Sequence, residues 1–162
     1  MIDEQLQAAT VGIIVLIAVF NVSGYYLANR NVEPFSELGI LGPNQKIADY
    51  PTHALVGQNF TLYLYVGNHE GHVMYYQVLA KVGDRASVIN ENVSLAAPPV
   101  ATYSTILRDN QTYLNQITLS LNHNGTNVRL VFELWVYRTN TTSFAYDHRF
   151  VQLWLNVTGP SI

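Results

Sequence analysis

The stretch Gly67-Asn68-His69-Glu70-Gly71-His72 sets a glutamate between two histidines. Those residue types do zinc chemistry as H-E-x-x-H on a helix. There the histidines fall at i and i+4 on one face, and the glutamate serves as base. Here the histidines stand at i and i+3, Gly71 breaks a helix, and alternating apolar patterns flank the segment on both sides. The segment therefore reads as the loop of a β-hairpin, with Asn68 and Gly71 taking the unusual backbone angles. A metal would need a third ligand such as His53, His123 or His148, and nothing in the sequence brings these to the loop. No metal and no cofactor is expected.

Other reactive patterns are missing. The chain has no cysteine, which removes disulfides, thiolate catalysis and cysteine-based zinc sites. It shows no Ser-His-Asp pattern, phosphate loop, dinucleotide fingerprint or calcium loop. Asp49, Asp84, Asp109 and Asp147 lie beside turn signals, where aspartate caps or forms Asx turns. Glu133 alternates with apolar positions of its strand and should face solvent or a partner. A paired-carboxylate glycosidase on a β-sandwich is the remaining enzymatic reading. The protein is expected not to be an enzyme.

The elements that carry these residues read as strands. In Phe60–Val66 the residues Phe60, Leu62, Leu64 and Val66 share one face, and Thr61, Tyr63 and Tyr65 the other. The same alternation recurs in Met74–Val82, Tyr113–Leu121, Val128–Val136 and Val151–Val157. Shorter candidates lie near Ser87–Ser94 and Thr102–Leu107. Turn signals stand between the runs at Gly67–Gly71, Gly83-Asp84, Pro98-Pro99, Asn122–Gly125 and Thr139–Thr142. About seven strands in so short a span imply an all-β fold, an immunoglobulin-like β-sandwich, preceded by one N-terminal hydrophobic α-helix. The expected organisation is an anchor helix over residues 1–28, a stalk and edge segment over 29–50, and a β-sandwich ectodomain over 51–162. Gly42-Pro43-Asn44 would form a turn within the edge segment.

The helix is the run Ala8–Ala28, which carries no charge. About 20 apolar residues at about 1.5 Å each span a bilayer core of about 30 Å. Tyr25 and Tyr26 sit where an interfacial aromatic belt would lie, with Arg30 just beyond. A buried core helix and a cleaved signal peptide are the alternatives. A signal peptide calls for Lys or Arg ahead of the apolar run, where this chain has Asp3 and Glu4. An uncleaved, single-pass anchor with an extracellular C-terminal domain is therefore expected, the run 8–28 meeting membrane lipid or neighbouring hydrophobic helices.

The sequons bear on the orientation, the alternative being that Asn and Thr abound in any surface strand protein. Asn-x-Ser/Thr occurs at Asn21, Asn59, Asn92, Asn110, Asn124, Asn140 and Asn156, whereas the chain's composition gives roughly two by chance. Asn21 lies inside the apolar run. The other six are expected to carry N-linked glycans. Only 12% of residues are charged, against about 25% in an average globular protein. A surface of amides and hydroxyls loses little when carboxylates protonate, so an acidic exterior would suit it. The net charge of -3 and the lack of a basic run argue against nucleic acid.

Several aromatics fall opposite to, or at the margins of, the aliphatic stripes: Tyr63, Tyr65, Tyr75, Trp135, Tyr137 and Trp154. Cross-strand pairs that stabilise a sheet surface are one reading. The other is a contact surface for envelope proteins or for self-association, because Tyr and Trp are favoured at interfaces.

Three phrases of the chain, FSELGILGPNQKIADYPT (Phe35–Thr52), VGQNFTLYLYVGNHEG (Val56–Gly71) and HRFVQLWLNV (His148–Val157), resemble in order an archaeal family of unknown function, domain-of-unknown-function family 1616. Members are archaeal membrane proteins with a β-rich extracytoplasmic region, many with several spans before it. This chain looks like a short, single-anchor version. The resemblance implies an archaeal source and a membrane-bound surface domain, and it supplies no catalytic residues. It also places His69 and Glu70 in a family phrase, which makes their loop an expected partner contact.

Two functions follow as expectations. The first is a non-enzymatic, glycosylated surface protein with a structural or accessory role in an envelope assembly or membrane complex. The second is a filament subunit similar in layout to archaeal type IV pilins. In it the apolar helices would pack in the fibre core, with Gly12, Ala18 and Gly24 allowing close approach. A pilin calls for a basic-plus-glycine processing site before the apolar run, and Met1 opens this sequence without one.

Overall fold

The computed structural model describes residues 3–28 and 33–159. Arg30 and the first residues of the expected stalk, 29–32, lie outside that range. The chain divides into two units, residues 1–33 and residues 34–162.

The first unit is helix α1, Glu4–Ala28. Its segment Leu6–Leu27 is long and apolar enough to cross a membrane, and its surface is uncovered. Thr10 Oγ1 donates to the Leu6 carbonyl at 2.8 Å, and Asn21 Nδ2 donates to the Ile17 carbonyl at 2.7 Å. Both bonds run back one turn, so these polar side chains hide their donors inside the helix's own ladder. That matters in an apolar medium, where an unsatisfied polar group costs several kcal/mol.

Among its described residues the second unit holds eight strands in two sheets. They are β1 (Phe35–Leu41), β2 (His53–Leu55), β3 (Asn59–His69), β4 (Met74–Gly83), β5 (Pro99–Leu107), β6 (Gln111–Ser120), β7 (Gly125–Arg138) and β8 (Ser143–Thr158). One sheet has the order β1-β3-β6, and the other β2-β8-β7-β4-β5. All neighbours are antiparallel except the short β2, which runs parallel to the end of β8. The all-β sandwich reading holds. The compact unit starts at Pro34, upstream of residue 51, because β1 pairs along β3 from Phe35↔His69 to Leu41↔Tyr63.

The stripes seen in the sequence form the core. Leu62, Leu64, Val66, Tyr76, Val78, Ala80, Leu130, Phe132, Leu134 and Val136 are buried between the sheets. Each large side chain of this kind contributes about 1.5–3 kcal/mol when fully buried.

Three expectations fail, each because the sandwich wraps differently from a string of hairpins. β3 pairs with β1 and β6, never with β4, so Gly67–His72 does not close a hairpin. β3 runs on through His69, and the chain then crosses from one sheet to the other over Glu70–Val73. Gly71 does take a positive φ of 75°, but Asn68 sits in the strand and is buried. The stretch near Ser87–Ser94 is not a strand; it belongs to a long β4–β5 connection with one isolated bridge, Asn90↔Val93.

The third failure concerns Glu133, which does not face solvent: it is fully buried on the outer face of β7. The β4–β5 connection folds over that face as a strap. Its Ile89 and Leu95 pack on Val131, with Ala97 and Phe150 beside them, as a second small core. Lys81 Nζ lies 2.9 Å from Glu133 Oε2 and also donates to the Leu95 carbonyl at 2.9 Å. The Leu95 amide and Trp135 Nε1 donate to the two oxygens of Glu133 at 2.5 and 2.9 Å.

Candidate functional site

The crossing between β3 and β4 is held by one amide. Asn68 Nδ2 donates to the carbonyls of His72 and Leu107 at 2.8 and 2.9 Å, and its Oδ1 accepts from the Glu70 amide at 3.0 Å. Its own carbonyl accepts from the Asn110 amide at 2.8 Å, which ties in the β5–β6 turn. Asp109 Oδ1 accepts from the Gly71 amide at 2.8 Å. The GNHEGH stretch is thus a built junction of two connections, the β3–β4 crossing and the β5–β6 turn.

His69 and Glu70, expected to contact a partner, bond within the sandwich. The His69 ring stacks on Phe35 at 4.6 Å, meets Asn110 Oδ1 at 3.1 Å through Nδ1, and lies 3.5 Å from Glu37 Oε2 through Nε2. Glu70 Oε1 accepts from Ser36 Oγ at 2.7 Å, and Ser36 Oγ lies 2.9 Å from Tyr76 Oη. Burial pushes the Tyr76 phenol up to about 12, against the lowering effect of Ser36. Nearby, Asp147 lies between Arg149 and Arg138 at 3.1 and 3.4 Å. Burial raises its carboxyl above the ordinary value in spite of both guanidinium groups. Among the described residues, His, Asp and Glu form no group of three that could hold a metal ion.

The flank between β1 and β8 is one open side of the sandwich. β1 ends its sheet, and β2 covers only Asn156–Thr158 on the free side of β8. Two adjoining cavities line this flank. A mixed one of about 510 Å³ is bounded by Glu37, Leu38, Tyr65, His148, Arg149 and Phe150 among others. An apolar one of about 560 Å³ is bounded by Ile40, Ile47, Tyr50, Tyr65, Val151 and Leu153. Tyr65 Oη donates to Glu37 Oε2 at 2.6 Å, and that bond, with burial, raises its pKa.

The expected aromatic surface is divided. Tyr63 and Tyr65 lie on β3, where Tyr63 Oη reaches Gln116 Oε1 at 3.3 Å. Tyr75, Trp135, Tyr137 and Trp154 lie on the other sheet. There Tyr75, Tyr137 and Phe144 form a ring cluster with centroids 5.0–6.1 Å apart. Trp135 tilts against Tyr146 at 5.9 Å, under Lys81. Trp154 carries Arg129 over its ring at 5.4 Å.

The sequon asparagines all lie outside the core. Asn59, Asn92, Asn110, Asn124 and Asn140 are exposed, and Asn156 is half-buried with its Oδ1 accepting from the Asn127 amide. Residues that sequence reasoning missed are the buried polar ones: Ser36, Asn68, Lys81 and Asp147. A signal was present for one pair. Lys81 and Glu133 are opposite charges on the outward phase of two apolar strands, in a chain with few charges.

The family model DUF1616, described as a domain of unknown function, matches residues 29–156. No curated protein matches the chain. Among solved structures, the CARDB domain of the PF1109 protein from Pyrococcus furiosus, in complex with di-metal ions, is similar with a TM-score of 0.48 and 12% identity. That match covers 80% of this chain and 95% of the other. A beta-glucosidase from Listeria innocua in complex with glucose matches with a TM-score of 0.46 and 12% identity, over 78% of this chain but 16% of its own. The b-glucosidase EmGH1 from Erythrobacter marinus matches with a TM-score of 0.41 and 10% identity, over 76% of this chain and again 16% of its own.

Proposed function

The chain belongs to the DUF1616 family, and from that premise we propose that it is a non-enzymatic, membrane-anchored protein of the archaeal cell surface. Its glycosylated sandwich serves a structural or accessory role in an envelope assembly or membrane complex. The observation that carries this reading is α1. A helix long and apolar enough to cross a membrane, with Thr10 and Asn21 bonded back to its own carbonyls, calls for lipid or other apolar helices around it. Six sequons outside the sandwich core support an extracellular domain. The bonding of His69 and Glu70 within the sandwich favours the exposed aromatics Tyr75 and Trp154 over the crossing loop as the partner surface.

The test is protease digestion of intact cells, followed by fractionation. Cleavage of the sandwich from outside, with the α1 fragment retained in the alkali-washed membrane, supports the reading. A sandwich protected until the cells are broken overturns it. The same helix also fits a filament. Nothing lies within 4 Å of a Cβ placed on Gly12 or Gly24, so neighbouring helices can approach these positions closely. Regular fibres in electron micrographs of the purified protein would favour the filament subunit, and discrete detergent-bound particles the accessory protein.

A further inference from the structure

Among the six exterior sequons, Asn140 alone combines two features. It lies on the β7–β8 turn, three residues after Tyr137, and no other sequon asparagine has an aromatic residue at that offset. It also lines a cavity of about 510 Å³ together with Tyr137, Tyr75 and Ile106. The ladder closes at Arg138↔Ser143, so Thr139–Thr142 form a tight loop that turns Asn140 back beside its own strand. Thr142, the sequon threonine, takes a positive φ of 51° in that loop. The ring cluster of Tyr75, Tyr137 and Phe144 stands at the end of the ladder, with Tyr75 39% exposed. Ile106 and Val73 add exposed apolar surface at 64% and 58%.

We propose that the glycan on Asn140 folds onto this groove, with its first sugar stacked on Tyr137 and Tyr75. The proposal rests on the reading of the sandwich as an N-glycosylated surface domain. One face of a pyranose presents C–H groups with a partial positive charge, and the face of a phenol ring is negative, so the two attract as apolar area leaves water. The covalent tether makes this contact intramolecular, which gives it a high effective concentration. The modification joins Asn140 Nδ2 to C1 of the first sugar. The C1–O bond to a phosphate-activated lipid-linked glycosyl donor breaks, the phosphate leaves with the electron pair, and the amide gives up one proton. The glycan then covers an apolar patch that otherwise stands open to water. Arg138 and Thr139, also on the cavity wall, supply donors for the sugar hydroxyls.

The experiment has two readouts on protein purified from its source cells. Glycopeptide mass spectrometry reports occupancy at each sequon. Thermal melting then compares Tyr137→Leu with the parent, in glycosylated protein and in an Asn140→Gln background. Leu keeps apolar bulk, so the comparison isolates the ring, and the background subtracts the packing of Tyr137 with Tyr75 and Phe144. The expected result is an occupied Asn140 and a Tyr137→Leu loss larger by about 2–4 °C when the glycan is present. Upfield ring-current shifts of sugar C–H protons accompany it. An occupied Asn140 with equal losses in both backgrounds overturns the stacking. A bare Asn140 beside occupied sequons overturns this site and leaves the surface reading standing. Bare asparagines at all six positions remove both.

Discussion

Lys81 Nζ and Glu133 Oε2 lie 2.9 Å apart on the outer face of the five-stranded sheet, and both side chains are almost wholly withdrawn from water. A strap of the β4–β5 connection seals them in, and its Leu95 bonds to both partners through one backbone unit. The pair thus fixes where the strap lies. Breaking it by Lys81→Met or Glu133→Gln leaves one buried group without its partner and is expected to cost about 3–5 kcal/mol. The double variant is expected to fall well short of the sum of the two. A double-mutant cycle in urea checks this, and faster hydrogen exchange at the Leu95 amide reports release of the strap.

Asn68 satisfies two carbonyls and one amide at the sheet-to-sheet crossing. Asn68→Ala orphans all three, and each is worth about 1 kcal/mol when buried, so a loss of about 2–3 kcal/mol is expected. Asn68→Asp keeps the acceptor but turns an oxygen toward the His72 and Leu107 carbonyls, and is expected to do no better. Chemical denaturation of both variants tests the ranking.

Asp147 gives the stability a pH dependence of definite sign. Burial raises its folded pKa above the ordinary 3.8, with Glu70 adding to the effect and the two arginines opposing it. The folded state then holds a proton that the unfolded chain has lost. Stability from this group therefore rises as pH falls through the raised value, and the gain is complete below 3.8. Relative to Asp147→Asn, the parent protein is expected to gain melting temperature between about pH 7 and about pH 4. A pH series of melting curves for the two proteins decides it, and parallel curves would refute it. Asp84 runs the other way, its carboxyl lowered by the Ser87 hydroxyl, but it lies open to solvent.

Gly42 closes the turn after β1. Its amide donates to the Lys46 carbonyl at 2.8 Å, and a Cβ placed there would stand 2.0 Å from the Ala48 carbonyl oxygen, which is backbone and cannot swing away. Gly42→Ala is expected to cost about 1–3 kcal/mol through that overlap. A drop in melting temperature with an unchanged far-ultraviolet spectrum would confirm a local effect.

Legibility in the sequence followed the range of the forces involved. Leu62-Leu64-Val66 and Leu130-Phe132-Leu134 announce their strands because alternation is a local property of the backbone. Asn68 looked like a loop residue because Asn and Gly favour turns in isolation, and only pairing with β1 and β6 keeps it extended. Glu133 looked solvent-facing because phase predicts a face of the sheet, not what covers that face. His69 and Glu70 looked available because their partners Phe35, Ser36, Glu37 and Asn110 lie far off in the chain.

The sequence by itself determined the apolar helix, the all-β sandwich, the family and the positions of the sequons. Each depends on composition or on spacing over a few residues. Only the tertiary structure decided that β3 and β4 lie in different sheets, that a strap buries Lys81 and Glu133, and that the aromatics fall on two faces. It also set Asn140 on the wall of the groove that Tyr75 and Tyr137 line. These depend on which distant segments meet, and that is settled by the packing of the whole core rather than by any one stretch of it.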